Sequence, residues 1–450
     1  MKAKLLGSFG YTIAASGLFF VFNLFLAKYI GAEDYGKITY YLSFVQIVSL
    51  LISFNYAALY MGNKITRGDN NTFSLFVSME TLVFFIIFFP GYFIIDSYVA
   101  DNEITLLILL CAYFLTMVSV VGLEYNANKK VSQSILYSLL IPRVLLVFLF
   151  VLLIIIGVAT PKGYLYIYLL SVSLVFGYFI FYLQLKFYIK KEIFSRAWKF
   201  YLLGVIGSSL SYIAQIYQKE YGSYEELASL AIALLFISGL SLTGGVLNKF
   251  ALPKIHEAWK DKDIKYLNSI YKTHTYLSSM INIPIFLFLL IFIEYISKYM
   301  GDGYTSLQMI FYILSVGYIV DLLTGITGTI LRATEHEYIE IYNEIFRFVV
   351  GIGLIFILSY KHFGVVYAIS ISMVAYNIAK FVQVYRLFKI KPFDMDSFRD
   401  LILYVGIFGI LLWCVKIWIH SLMLGIVVLM IFYIVLLKAL KYKIDWSIYK

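Results

Sequence analysis

Seven ionisable side chains interrupt long apolar stretches of this 450-residue sequence: Glu80, Arg143, Asp321, Glu340, Glu344, Arg347 and Lys380. Glu124 and Glu294 stand at the ends of such stretches. A charge inside a bilayer costs about 2.5 kcal/mol or more, so such groups face a cavity or a partner. Glu340, Glu344 and Arg347 follow an i, i+4, i+7 spacing, which puts them on one helix face. Asn377, Lys380 and Gln383 make a second polar stripe. These faces line either a wet cavity or a packed helix pair in which Glu344 and Arg347 neutralise each other. Arg143, Arg347, Lys380 and Asn377 are the candidates for lining such a cavity, where arginine and lysine would face anionic groups. Carboxylates suit the binding and release of an ion. Asp321, Glu80 and Glu344 are therefore the candidates for coupling to H+ or Na+. Arg143 follows Pro142, whose missing N–H frees the carbonyl near Ser138. That reads as a bend lining a wet space, or as a plain kink with Arg143 reaching toward lipid phosphate.

The remaining polar residues hold no recognisable metal or cofactor chemistry. His256, His274, His336, His362 and His420 never fall at a metal-ligand spacing. Gly244-Gly245 and Gly351-Ile352-Gly353 lie within apolar runs, where small residues serve helix packing. Cys111 and Cys414 also lie in apolar runs, so neither a disulfide framework nor a metal site is expected.

The elements that must position these groups are membrane helices. The chain is 62% hydrophobic and 14% charged, against roughly half and a quarter in soluble domains. Runs such as Val144 to Ile156 are continuous, unlike the ~10-residue alternating segments of an outer-membrane barrel. Fourteen spans are predicted, at 5–27, 38–60, 73–95, 104–124, 134–157, 164–185, 200–217, 227–248, 268–296, 305–331, 339–360, 364–386, 400–418 and 421–438. The seventh is polar, with Ser208, Ser209, Ser211 and Gln215. With both termini in the cytoplasm, 25 Lys/Arg fall in inner segments, seven in outer loops and four within spans. That asymmetry satisfies the positive-inside rule, and it accounts for the net charge of +10 without a nucleic-acid partner. The segments between spans are too short to fold as a soluble catalytic domain, so a non-enzymatic, multi-pass protein of the cytoplasmic (inner) membrane is expected.

An internal repeat organises the spans. Leu5-Leu6-Gly7-Ser8-Phe9-Gly10 opens the first, and Leu202-Leu203-Gly204-Val205-Ile206-Gly207 opens the seventh, 197 residues later. Arg143 and Arg347, 204 residues apart, sit at matching depths of the fifth and eleventh spans. The reading is an all-α polytopic fold of two six-helix lobes, 1–190 and 200–390, related by a parallel repeat. Two additional helices follow at 400–440.

Three segments carry a family resemblance. They are the LLGSFG opening followed by Ala27-Lys28-Tyr29-Ile30-Gly31-Ala32-Glu33-Asp34-Tyr35-Gly36, then His362-Phe363-Gly364, and Lys391-Pro392-Phe393. On these the chain resembles the Wzx-type O-antigen flippases of the multidrug/oligosaccharidyl-lipid/polysaccharide exporter superfamily, over essentially its whole length. The resemblance implies two lobes around a central cavity, alternating access, and an undecaprenyl-diphosphate-linked oligosaccharide as cargo. The cargo would be an O-antigen or capsule repeat unit moved from inner to outer leaflet. It also implies membrane lipids, a polysaccharide polymerase and a chain-length regulator as partners, and it maps the family's cationic cavity onto Arg143, Arg347 and Lys380. Two rival readings are a multidrug antiporter of the same superfamily, which favours acidic cavity residues, and an O-antigen polymerase, which needs a large outer loop.

Overall fold

The structure, a computed structural model, describes residues 2–53, 60, 64, 71–128, 130–183, 191–418 and 422–443. The counted loop cations Arg67, Lys129, Lys186 and Lys190, and Lys450 in the tail, lie outside the described residues. Among the described residues there is no strand. The chain is an all-α polytopic membrane protein. Its helices are α1 (Lys2–Ile30), α2 (Ala32–Ile52), α3 (Thr72–Val99), α4 (Asn102–Ala127), α5 (Val131–Ile156), α6 (Pro161–Leu183), α7 (Lys191–Tyr221) and α8 (Tyr224–Lys260). They continue with α9 (Ile264–Met300), α10 (Leu307–Thr324), α11 (Thr327–Ala333), α12 (Glu337–Leu358), α13 (Gly364–Phe388), α14 (Met395–Trp418) and α15 (Leu422–Lys443).

Twelve described helices are long and apolar enough to cross a membrane. The two expected spans outside that set both lie in helices. The polar seventh is α7, whose Ser and Gln residues dilute its apolar character. The fourteenth is α15, described as an apolar helix over Met423–Tyr433. The chain divides into two compact units, Met1–Ala228 and Ser229–Lys450.

In the first unit, α4 packs against α2, α3 and α6. Ile108, Leu109, Cys111 and Ala112 on α4 are fully buried beside Val45 and Ile52 of α2. Lipid is as apolar as leucine, so close packing and hydrogen bonds hold such helices together. The turn at Gly31 illustrates both. Gly31 takes φ +84 and ends α1. Tyr35 then buries its ring and donates to Asn23 Oδ1 at 3.2 Å. Gly36 lies against the backbone carbonyl of Tyr224, where a Cβ would overlap it. A backbone clash cannot be relieved by rotating a side chain. Gly36→Ala is therefore expected to cost about 1–3 kcal/mol and to lower the melting temperature of the purified protein in detergent. Gly10→Ala, with no atom within 4 Å of the new methyl, serves as control.

Helix α5 is not uniform. Residues Leu136–Leu140 form a π turn, with Ile141 N–H donating to Leu136 O, immediately before Pro142. The proline that cannot donate is absorbed by widening the preceding turn. Ser134, on the same stretch, donates to the Gly122 carbonyl of α4 at 2.7 Å.

In the second unit, α9 packs against α10, α14 and α15, while α13 packs against both α10 and α12. The tenth span, expected to run unbroken over 305–331, is interrupted. Gly325 takes φ +64 and separates α10 from α11. A Cβ at Gly325 would overlap Thr275 of α9, so the break depends on glycine for both conformation and space.

Candidate functional site

The break in the tenth span opens a cavity of about 360 Å³ in the second unit. Backbone groups freed at membrane depth need partners, and they find them here. Tyr271 of α9 donates to the Thr324 carbonyl at 2.6 Å, and both Gly325 N–H and Thr324 Oγ1 reach the Asp321 carbonyl at 3.1 Å. The interruption thus holds a fixed shape, with Asp321 at its edge.

Charge converges on this cavity from four helices, with Arg332 supplied by α11. Asp321 comes from α10, Glu340 and Glu344 from α12, and Lys380 from α13. Glu344 accepts from the Tyr376 hydroxyl at 2.5 Å and pairs with Arg347 at 2.8 Å. The same hydroxyl lies 3.4 Å from Glu340. The Lys380 ammonium sits 3.8 Å from the Tyr376 ring centroid and the Arg347 guanidinium 4.9 Å from it. One tyrosine therefore presents its ring to two cations and its hydroxyl to two carboxylates. Asn377, buried on α13, lies beside Asp321. Asn343 and Gln383 exchange amide hydrogen bonds of 2.6 and 3.0 Å, which lock α12 to α13.

Of the seven ionisable residues singled out in the sequence, Asp321, Glu340, Glu344 and Lys380 line this one cavity. Asn377 joins it through Asp321 and Arg347 through Glu344. Arg347 makes the ion pair that the neutralising alternative requires, yet its side chain keeps 23% exposure, so the guanidinium is not sealed in. Arg143 and Glu80 belong to the first unit. Arg143 donates to the Ala15 carbonyl of α1 at 2.9 Å and lies 4.6 Å from the Phe19 ring centroid. Glu80 is fully buried on α3.

Further polar groups stand outside the cation and ion-coupling candidate sets. Asn248 of α8, His274 of α9 and the exposed Arg332 of α11 also line the cavity. In the first unit Glu124 accepts from Tyr60 at 2.5 Å and from Asn128 at 2.9 Å, and it pairs with Lys64. Tyr376 precedes Lys380 by four residues, one helical turn, and that spacing was the available signal for its role. His274 carried a weaker one, as a polar residue within an apolar run.

No protein-family model matches the chain, and no curated protein sequence matches it. Solved structures do share its fold. A structure described as lipid II flippase MurJ in an inward closed conformation superposes with a TM-score of 0.73 at 16% identity, covering 96% of this chain and 99% of its own. An inward-facing multidrug resistance MATE family transporter of the MOP superfamily gives 0.67 at 15% identity, covering 83% of this chain and 94% of its own. A MOP superfamily transporter from Pyrococcus furiosus, described as having a binding pocket of reversed polarity, gives 0.59 at 12% identity. The chain has the fold of the MOP-superfamily transporters.

Proposed function

We propose that this protein is a flippase that carries an undecaprenyl-diphosphate-linked oligosaccharide, an O-antigen or capsule repeat unit, from the inner to the outer leaflet. The observation that carries the reading is the extent of the structural match. The lipid II flippase accounts for 96% of this chain, whereas the MATE transporters account for 83–89%. The cavity adds chemical support. Its charge is mixed, with the carboxylates Asp321, Glu340 and Glu344 beside Lys380 and Arg332, and with Arg347 partly exposed next to Glu344; the three cations are the groups that phosphate oxygens would engage. In this reading Arg143 supplies a further cation from the first unit, and Asp321, Glu80 and Glu344 are the groups on which H+ or Na+ would act. The parallel repeat and the cytoplasmic termini belong to the same proposal.

The test is reconstitution of the full chain in vesicles loaded with an undecaprenyl-diphosphate-linked oligosaccharide on one leaflet. Appearance of the sugar on the opposite leaflet, measured by lectin binding, is the expected result. Export of a cationic dye with no movement of the lipid-linked sugar would overturn the proposal in favour of multidrug antiport.

A further inference from the structure

A second cavity lies where α13 ends and α14 begins, an open groove of about 420 Å³. The chain itself sets its level. Lys389 takes φ +56 and stops α13, and α14 starts at Met395. Both flanking helices are membrane spans, so residues 389–394 turn at the bilayer edge. The other wall is α9. At 37 residues it runs ~55 Å against ~30 Å of hydrocarbon, so its first turns, with Asn268 and Lys272, extend beyond the acyl chains. Lys391 N–H donates to Asn268 Oδ1 at 3.1 Å and pins the linker to that wall.

Three ammonium groups surround the groove: Lys272, Lys389 and Lys391. Its single carboxylate, Asp394, accepts from Ser397 N–H at 2.8 Å at the start of α14 and lies 3.7 Å from Lys272. The hydroxyl and amide of Ser397, with Lys272 beside them, hold the Asp394 carboxyl below the usual carboxylate range. The groove therefore keeps two positive charges in excess. Apolar side chains adjoin them on the span side. Met395 is 81% exposed and Phe398 is 40% exposed. Cations at the water boundary next to exposed apolar groups match the polarity profile of a phospholipid, in which phosphate stands over acyl carbons. A free phosphate ion would use the lysines and leave Met395 and Phe398 without a role.

We propose that this groove binds the phosphate head group of an anionic membrane phospholipid, with Lys272, Lys389 and Lys391 on the phosphate and Met395 and Phe398 against the upper acyl chain. The lipid is a resident ligand rather than cargo, so the inference stands apart from the transport reading. The test is native mass spectrometry of the full chain, purified in detergent and titrated with phosphatidylglycerol or phosphatidylcholine. The intact protein should retain phosphatidylglycerol in preference to phosphatidylcholine. Changing Lys272, Lys389 and Lys391 together to Gln should weaken that retention by about a hundredfold, since each juxtamembrane cation contributes roughly fivefold. The same charge removed at exposed Lys260, Lys262 and Lys265 should leave it intact. Asp394→Asn keeps a capping side chain and should tighten binding, a gain that misfolding cannot mimic. Equal retention in the groove variant, equal loss in both triple variants, or no preference for phosphatidylglycerol would overturn the proposal. Displacement of the lipid by inorganic pyrophosphate would reassign the groove to a soluble phosphate.

Discussion

Arg347→Ala is expected to lower transport of the lipid-linked oligosaccharide by about a hundredfold, while the protein reaches the membrane at its normal level. A charge-assisted hydrogen bond is worth about 1.5–3 kcal/mol, and a guanidinium can make two such bonds to a phosphate. The difficulty is that Arg347 is also the ion partner of Glu344 at 2.8 Å. Removing it leaves that carboxylate with the Tyr376 hydroxyl alone among the contacts described above, which by itself could disable the site. The double change Glu344→Ala, Arg347→Ala separates the two roles. Restored transport in the double variant would make Arg347 a charge balancer and remove it from the cargo site. A folded but inactive double variant is the expected result. Arg347→Lys should recover only part of the activity, because an ammonium lacks the planar fork.

Asp321→Asn should abolish ion-driven accumulation while leaving downhill equilibration measurable. Asparagine keeps the shape and a polar side chain beside Asn377 but cannot exchange an ion at neutral pH. One coupled elementary charge supplies about 2.3 kcal/mol per 100 mV, so its loss should cut the accumulation ratio about fiftyfold at that potential. Asp321→Glu retains the charge and should retain much of the coupling. Vesicles with an imposed H+ or Na+ gradient give the readout for each ion in turn. Near-normal accumulation by both variants would clear Asp321 and shift attention to Glu344 and Glu80.

Much of this architecture is readable from the chain alone, because an apolar run of bilayer length has few alternatives. The charged stripes of α12 and α13 are readable for a related reason. The two helices are consecutive with a short connection, so Glu344, Arg347, Tyr376 and Lys380 meet through neighbouring elements. Asp321 is recognisable as an acid within an apolar run, but its placement in the same cavity depends on α10 packing against α13, which helical period does not reveal. The break at Gly325 was missed because glycine is common in membrane helices and most such residues serve packing. Here the decisive contact is with Thr275, fifty residues away in sequence. Lys64 reads as a loop cation, and only the tertiary structure turns it into the partner of Glu124.

The π turn at Leu136–Leu140 carries a consequence for inheritance rather than for transport. A turn of this kind holds one residue more than the α-helix around it. Natural variants lacking one residue there can close the turn into ordinary helix without shortening the span by a full turn. Such a deletion leaves the faces upstream and downstream in the same relative orientation, because the wide turn and the α turn that replaces it each complete about one revolution. Arg143, three residues past the turn, would then still face Ala15 and Phe19. Loss of one residue at this point is therefore a length change that related chains can absorb without re-aiming this half-buried cation.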